Sequence, residues 1–149
     1  MTELPARVLI LGLGFSGRAI ARQLQARGID VSGTVRNPQA APADGLQRHR
    51  LHEDLPPDSG LCSALATAEA VICCVPPDAG GDPALRRVQS HLQASTALRW
   101  VGCLSSTGVY ADRQGGWVNQ DSAADAAGPV AVQRRLAEAQ WQAFARGRG

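Results

Sequence analysis

A glycine-rich turn between a short apolar run and a helical pattern is the strongest constraint on how this chain folds. Residues 7–11 are almost continuously apolar, which predicts a β-strand covered on both faces. Gly12, Gly14 and Gly17 follow at once with the spacing G-x-G-x-x-G, and residues 17–27 have the apolar period of a helix. A buried strand, a glycine turn and a helix in this order predict the start of a parallel βαβ unit.

The glycines also predict a ligand, because each is needed for a different physical reason. Gly12 lets the chain turn tightly, Gly14 leaves the backbone bare where a pyrophosphate would approach, and Gly17 lets helix and strand pack closely. The freed amides and the helix dipole then face the phosphate charge. A glycine turn without a ligand is the alternative, but its place directly after a strand favours a dinucleotide site.

The rest of the chain alternates between strand-length apolar runs and helical patterns. We predict strands at residues 31–35, 47–51, 70–75 and 100–104, a loop at 38–45, a helix at 61–68, and two helices that begin at Pro83 and Pro129. Asp82 is the predicted cap of the helix that begins at Pro83. That helix should bury Leu85, Val88 and Leu92. The helix that begins at Pro129 should bury Val132, Leu136, Ala139 and Ala143. This alternation indicates a Rossmann-type, doubly wound α/β fold with a mainly parallel sheet that is truncated before the usual sixth strand. We expect residues 1–149 to form a single NAD(P)-binding domain.

Composition excludes several classes of function. The 149 residues are 44% hydrophobic and 19% charged, which suits one globular domain, and no apolar run is long enough to cross a membrane. The net charge of +2 is too small to predict nucleic-acid binding. The chain start lacks the pattern of a secretory signal, so we expect a cytoplasmic protein.

Cysteine and histidine spacing gives no metal site. The four cysteines have no CxxC spacing and are expected to be buried core thiols. His49 and His52 have the spacing of a metal-binding pair, but the sequence offers no third ligand, and we expect them to be surface histidines. We therefore predict that the protein binds no metal.

The end of the second predicted strand decides between the two nicotinamide dinucleotides. A carboxylate there would bind the ribose 2′-hydroxyl of NAD, but Asp30 lies at the opposite end of the strand, roughly 16 Å away. The residues at the correct end are Thr34 to Asn37, of which Arg36 offers several N–H donors to a 2′-phosphate. We expect NADP rather than NAD, with an exposed arginine that binds no ligand as the alternative.

These segments resemble the short-chain dehydrogenase/reductase superfamily, specifically its extended or atypical branch of NAD(P)-dependent epimerases and dehydratases. The resemblance rests on residues 10–17, on 33–36, on Asp54 and Leu55 after the third strand, and on 104–110, which reads Leu-Ser-Ser-Thr-Gly-Val-Tyr. It spans nearly the whole chain but only the N-terminal portion of a typical member, before the C-terminal lobe that shapes the substrate pocket.

The resemblance implies roles for particular residues. Asp54 would contact the adenine amino group, Ser106 would be the active-site serine, and Arg134 takes the position of a lysine that binds the nicotinamide ribose. The implied coenzyme-binding residues are Gly12, Gly14, Phe15, Ser16, Gly17, Thr34, Arg36, Asp54, Val75, Pro76 and Arg134.

The catalytic pair of that family is absent from this sequence. Family members carry Tyr-x-x-x-Lys on the last helix, whereas Val130 and Arg134 stand at those positions here. The chain has no lysine and its one tyrosine, Tyr110, lies upstream, so no other alignment restores the pair. Losing a positioned acid or base costs a factor of about 10² to 10⁴ in rate. Residues 134–141 are similar to atypical members, which indicates a subgroup trait.

Tyr110 and Ser106 are the remaining candidates for catalysis. Both follow the fifth predicted strand, at the edge of the sheet where ligands bind in such folds. We predict that they contact a small-molecule substrate and that Tyr110 donates a proton. A packing role for Tyr110 is the alternative.

Three hypotheses about function remain open at this point. The first is an NADP-binding oxidoreductase or epimerase/dehydratase, and the second is a non-catalytic module that senses the NADPH/NADP ratio or regulates a partner. The third is a truncated gene product. The unpaired edge of the last strand leaves room for a homo-oligomer.

Overall fold

The computed structural model describes residues 4–40, 42 and 44–148. Within them the strands are β1 (Arg7–Leu11), β2 (Asp30–Val35), β3 (Gln47–Arg50), β4 (Ala70–Cys73) and β5 (Trp100–Cys103). The α-helices are α1 (Phe15–Gln25), α2 (Ser59–Thr67), α3 (Pro83–Ala94) and α4 (Pro129–Arg146). Short 3-10 helices occupy Pro38–Ala40 and Thr107–Val109.

The strands form one parallel sheet in the order β3-β2-β1-β4-β5. Ile10 of the central strand pairs with Gly33 on one side and with Ile72 on the other. The chain first builds the sheet outwards from β1 to β3 and then crosses over to β4, so the strand order reverses beside β1. The predicted Rossmann-type doubly wound fold is thereby confirmed, and the reversal marks the edge where ligands bind in such sheets.

Helices cover both faces of the sheet, and β1 contributes to both cores. Its residues alternate, as strand geometry requires. The core on the α1 face contains Val8, Ile10, Leu13, Ala21, Ile29, Val31, Leu46 and Ala70. The opposite core, which packs against α2, α3 and α4, includes Leu9, Leu11, Leu61, Leu65, Val71, Val88, Leu92, Trp141 and Phe144. The nearly continuous apolar run of β1 is therefore explained by burial on two sides.

The predicted boundaries of strands and helices lie within two residues of the observed ones. The first helix begins at Phe15 rather than at residue 17, because Gly14 already occupies the position before the helix. The fourth strand ends at Cys73 rather than at residue 75, although the Cys74 amide still donates to the Leu11 carbonyl oxygen at 2.8 Å. The predicted loop at 38–45 contains a 3-10 helix, and residues 41 and 43 of that loop lie outside the described residues.

The prediction for the buried face of α4 is wrong. Val132 and Leu136 are 47% and 40% exposed, and Ala139 and Ala143 are exposed as well. Apolar side chains occur on two faces of this helix, so their period does not select between them. The face with the larger aromatic side chains is buried, because these remove more apolar area from water. The buried residues are Ala131, Ala137, Trp141 and Phe144.

Asp82 caps α3 as predicted, and it also joins three elements in the interior. Its Oδ1 accepts a hydrogen bond from the Leu85 amide at 2.9 Å, while Oδ2 accepts from Trp141 Nε1 at 2.7 Å and from the Cys73 thiol at 3.1 Å. Burial raises the pKa of the Cys73 thiol, and the neighbouring Asp82 carboxylate raises it further, so the thiol stays a hydrogen donor. β4, α3 and α4 are thus connected through one buried carboxylate.

The expected positions of the cysteines and histidines hold only in part. Cys73 is a buried core thiol as expected, but Cys62, Cys74 and Cys103 are half-buried. His49 is only 7% exposed, so its predicted surface position is wrong. The imidazole packs beside the start of α2, with Nδ1 3.4 Å from where a Cβ on Gly60 would lie.

Candidate dinucleotide-binding site

The carboxyl edge of the sheet collects most of the predicted site residues. Parallel strands end at the same edge, so the segments that follow β1, β2, β3, β4 and β5 meet there. These segments carry the glycine turn, Arg36, Asp54, Val75 with Pro76, and Ser106. The segments therefore meet along one edge of the sheet, on both sides of β1.

The glycine turn at the end of β1 has the geometry that the spacing predicts. Gly12 has a φ of +93°, and a Cβ there would lie 2.9 Å from the Val75 side chain. A Cβ on Gly17 would lie 2.2 Å from the Gly12 carbonyl oxygen, so only glycine allows this approach of helix and turn. Gly14 differs, because a Cβ there would meet no atom within 4 Å and its backbone is extended. The turn therefore leaves open space above Gly14.

The start of α1 presents unpaired donors to this space. The amides of Phe15, Ser16 and Gly17 have no acceptor among residues 4–40, 42 and 44–148, and Gly14 provides no side-chain cap. The first turn of the helix contains no acidic residue. Phe15 and Ser16 are exposed, and the Phe15 side chain is 89% accessible. Orphan amides at a helix N-terminus fit the oxygens of a pyrophosphate.

Thr34 supports the turn from below. Its Oγ1 accepts a hydrogen bond from the Gly12 amide at 2.9 Å, and its carbonyl oxygen accepts from the Leu13 amide at 2.8 Å. The residue is only 1% exposed. β2 thus holds the turn through this side chain, and the predicted contact between Thr34 and the coenzyme stays a prediction.

Arg36 lies at the end of β2 where the sequence predicted it. Its side chain is exposed and has no hydrogen-bond or ion-pair partner in the described part of the chain. Asp30 lies at the opposite end of the strand and approaches Arg7 at 3.9 Å. The sheet edge near Arg36 can therefore accept a negatively charged group.

The segments after β3 and β4 lie at the same edge of the sheet. Asp54 is exposed, and its carboxylate lies 3.7 Å from His52 Nδ1. Val75 is half-buried below Gly12, and Pro76 is exposed beside it. Contact of Asp54, Val75 and Pro76 with a coenzyme stays a prediction.

Ser106 and Tyr110 follow β5, which ends at the same edge, and Arg134 of α4 contacts the backbone just after that strand. Ser106 is exposed and its Oγ accepts a hydrogen bond from the Gly108 amide at 3.1 Å, which caps the 3-10 helix Thr107–Val109. Tyr110 follows this helix and is half-buried. Arg134 Nη1 donates to the Leu104 carbonyl oxygen at 2.8 Å, and its buried Nε has no partner within the described residues. The Ser106 hydroxyl hydrogen remains available to a substrate oxygen.

The sequence reasoning missed Glu138. Its carboxylate accepts a hydrogen bond from the Ser105 hydroxyl, so α4 holds the chain that leads from β5 to Ser106. Glu138 lies four residues after Arg134, and this spacing places both side chains on one face of the helix. This spacing of four residues is visible in the sequence and could have indicated that Glu138 lies beside Arg134.

One cavity lies away from this edge. A cavity of about 400 Å³ lies between α2 and the adjacent face of the sheet, and its lining includes Ser32, His49 and Ser63. None of the predicted coenzyme-binding residues lines it. The described residues contain no group of three or more potential metal ligands and no helix that is long and apolar enough to span a membrane.

The strand order and the bare turn at its switch point define a nucleotide-binding fold of the Rossmann class. Residues 7–95, more than half of the chain, match the family described as coenzyme F420-dependent NADP oxidoreductases. The chain belongs to this family. The matched residues run from β1 to the end of α3 and so contain the glycine turn and Arg36.

The chain is similar to longer proteins over most of its length. Protein YeeZ of Escherichia coli is 34% identical in an alignment of 119 positions that covers 73% of this chain and 43% of YeeZ. A conserved protein of unknown function from Silicibacter pomeroyi has a TM-score of 0.76 at 31% identity, over 93% of this chain and 49% of its own. A protein classed as an NAD-dependent epimerase/dehydratase from Methylobacillus flagellatus has a TM-score of 0.73 at 28% identity, over 93% of this chain and 50% of its own. The predicted resemblance to epimerases and dehydratases is confirmed, and the chain spans about half the length of these relatives.

Proposed function

We propose that this chain binds NADP(H) across the carboxyl edge of its sheet, as the coenzyme-binding part of an oxidoreductase or an epimerase/dehydratase. The open space above Gly14 carries the proposal, because it lies beside the unpaired amides of Phe15 and Ser16. The pyrophosphate would bind there, and the N-terminal end of α1 would stabilise its charge. Asp54 and Val75 would flank the adenosine.

Arg36 supports NADP rather than NAD. A guanidinium offers two parallel N–H donors to a phosphate, and the exposed Arg36 has no competing partner in the described residues. The one acidic residue of β2, Asp30, lies at the far end of the strand and so cannot bind a ribose 2′-hydroxyl at this edge. The 2′-phosphate is thus the group that best satisfies Arg36.

The residues after β5 support a role in chemistry on a small-molecule substrate. When bound, the coenzyme supplies or accepts a hydride at its nicotinamide ring. The Ser106 hydroxyl would donate a hydrogen bond to the substrate oxygen, and the Tyr110 hydroxyl would supply the proton that an arriving hydride requires. Arg134 would bind ribose hydroxyls with the part of its guanidinium that does not contact Leu104.

Titration of the purified chain with NADPH and with NADH tests the proposal. Coenzyme fluorescence and the Tm should both report binding, and NADPH should bind more tightly. Arg36→Glu should weaken NADPH far more than NADH, while Arg27→Glu, a matched change at an exposed arginine beyond the far end of α1, should alter neither. Equal weakening of both coenzymes by Arg36→Glu would contradict the 2′-phosphate assignment, and no binding of either would overturn the proposal.

The residues at the usual catalytic positions favour a second candidate, a dinucleotide-binding module that responds to the NADPH/NADP ratio without turnover. Val130 is 73% exposed and cannot transfer a proton, and Arg134 is engaged by the Leu104 carbonyl oxygen. A panel of carbonyl compounds and nucleotide sugars, assayed with NADPH, separates the two candidates. Turnover would exclude the module, and tight binding without turnover would favour it.

A further inference from the structure

We propose that the cavity between α2 and the sheet is a second binding site, which takes an uncharged, hydroxyl-rich molecule of monosaccharide size. The cavity has a volume of about 400 Å³, which falls within the range of small-molecule sites. Residues of β1, β2 and β3 form one wall and residues of α2 form the other. The polar lining residues without a permanent charge are Ser32, Gln47, His49, Ser63 and Thr67.

The cavity lies at the end of the sheet opposite to the proposed coenzyme site. Arg7, Asp30 and Gln47 are the first residues of β1, β2 and β3, and all three line it. Parallel strands begin at one edge of a sheet and end at the other, whereas the glycine turn and Arg36 follow the strand ends. A molecule in the cavity would therefore bind separately from NADP(H).

The face of β2 that is turned towards α2 is polar, although helices cover both faces of the sheet. Val31 and Val35 pack against the core on the α1 face, so the alternate residue Ser32 faces α2. Gln47 of β3 pairs with Ser32 and lies on the same face. Strands buried on both faces are typically apolar on both, as β1 is. The departure from this pattern in β2 and β3 indicates polar contents above them.

The helix that covers this part of the sheet presents small side chains to it. Four residues of α2 with the spacing of a single helix face line the cavity, and they are Gly60, Ser63, Ala64 and Thr67. The large side chains of this helix, Leu61 and Leu65, pack into the core instead. Small residues on the helix thus leave the space above the polar strand face unfilled.

The walls have hydrogen-bonding capacity that the protein itself does not use. His49 is only 7% exposed, and its buried Nε2 has no partner within the described residues. The side chains of Ser32, Gln47 and Ser63 also make no hydrogen bond in the described part of the chain. The Thr67 hydroxyl donates to the Ser63 carbonyl oxygen at 3.0 Å and can still accept. Buried polar groups are nearly always paired in native proteins, so the unpaired imidazole favours a hydrogen-bonding occupant.

The charges around the cavity favour an uncharged ligand. Arg7 and Asp30 carry opposite charges and approach each other to 3.9 Å. Burial lowers the pKa of His49 below its ordinary value of 6.5, so the imidazole is neutral at pH 7. A neutral imidazole, a hydroxyl and a carboxamide each donate and accept hydrogen bonds, as the hydroxyl groups of a sugar do. A phosphate or an ammonium group would meet no net opposite charge here.

The apolar part of the lining fits a sugar ring as well. Leu9, Ala64 and Ala68 contribute apolar surface between the polar groups. A pyranose or a cyclitol has hydroxyl groups around its rim and C–H groups on its faces, so it can contact both kinds of surface. A purely apolar ligand would leave the hydroxyls and the imidazole unpaired.

Binding of uncharged sugars tests the inference. The probes are D-glucose and myo-inositol, with glucose 6-phosphate and glucosamine as charged counterparts. We expect the two neutral probes to bind the parent with a Kd in the millimolar range and more tightly than the charged ones. They should shift the imidazole NMR signals of His49, which are assigned by their loss in His49→Gln. Saturating NADPH should not displace them.

Ser63→Leu fills the cavity, and Ala66→Leu is the matched control at an exposed position of the same helix that does not line it. Ser63→Leu should weaken binding of both neutral probes at least about tenfold, whereas Ala66→Leu should leave it unchanged. The NADPH affinity should be the same in both variants. Ser32→Ala removes one hydroxyl from the opposite wall without adding bulk, and it should weaken binding about fivefold.

The outcomes decide the inference independently of the coenzyme site. Loss of the neutral probes in Ser63→Leu and Ser32→Ala, with a shift of the His49 signals in the parent, supports it. No saturable binding of either neutral probe to the parent overturns it, and so does tighter binding of a charged counterpart. Unchanged affinity in both Ser63→Leu and Ser32→Ala would show that the sugars bind elsewhere.

Discussion

The Thr34 hydroxyl accepts a hydrogen bond from the Gly12 amide across 2.9 Å, so β2 holds the glycine turn that follows β1. Thr34→Val keeps the shape of the side chain but leaves this buried amide unpaired. We expect a loss of about 1–3 kcal/mol in the free energy of unfolding, measured by chemical denaturation, together with weaker coenzyme binding. Thr34→Ser keeps the hydroxyl and should retain most of both. Equal stability and affinity of the valine variant would show that the bond does not hold the turn.

The buried Asp82 carboxylate should contribute more to stability than an exposed helix cap. Asp82→Ala removes the cap of α3 and leaves Trp141 Nε1 and the Cys73 thiol without an acceptor. We expect a cost of roughly 3 kcal/mol or more in the free energy of unfolding.

Asp58 provides the matched control, because it caps α2 through the Leu61 amide at 2.9 Å but is exposed. Asp58→Ala should cost about 1 kcal/mol. If the two variants lose the same stability, the contacts from Trp141 and Cys73 contribute nothing, and denaturation curves decide this directly.

The buried imidazole of His49 should make stability depend on pH. Burial lowers its pKa below the ordinary value of 6.5, while Asp58 acts in the opposite direction. The unfolded chain therefore takes up a proton more readily than the folded one. This contribution to stability is complete above about pH 6.5 and is lost as the pH falls through the lower pKa of the folded state.

Denaturation of the His49→Gln variant between pH 8 and pH 5 checks this, in the window around the reference value of about 6.5. The parent should lose stability below the upper part of that range, and the variant should lose less. His52→Gln, at a more exposed position, should follow the parent. An unchanged pH profile in His49→Gln would mean that burial of this side chain does not couple folding to protons.

The local features of the fold could be predicted, because neighbouring residues specify them. β1, the glycine turn and the Asp82 cap each depend on a few consecutive residues, and the structure confirms all three. The alternation of strands and helices then fixed the parallel sheet, since crossover connections leave few arrangements.

The features that the sequence did not predict depend on distant residues. Trp141 and Asp82 are 59 residues apart, and their contact lies on the face of α4 that is buried. His49 is buried because the later helix α2 packs beside it. The supporting role of Thr34 likewise follows from the pairing of β1 with β2, which no single segment encodes.

The hydroxyl of Tyr110 should be needed for turnover if the chain takes part in catalysis. Tyr110→Phe keeps the ring and removes the only tyrosine hydroxyl in the sequence. With a substrate from the carbonyl or nucleotide-sugar panel, we expect kcat to fall by a factor of about 10² to 10⁴, with unchanged NADPH affinity. Turnover at the rate of the parent would leave Tyr110 with a packing role only.

Gly14 offers the sharpest test of where the pyrophosphate binds. A Cβ at Gly14 meets no neighbour within 4 Å and the backbone there is extended, so Gly14→Ala should fold with the Tm of the parent. The added methyl group would occupy the space above the turn, and NADPH and NADH should both lose affinity by at least about tenfold. Gly17→Ala is the matched contrast, because its Cβ would lie 2.2 Å from the Gly12 carbonyl oxygen and should lower the Tm whether or not coenzyme is present. Binding of either coenzyme to Gly14→Ala with the affinity of the parent would show that the diphosphate lies elsewhere, and the assignment of this edge as the coenzyme site would fall with it.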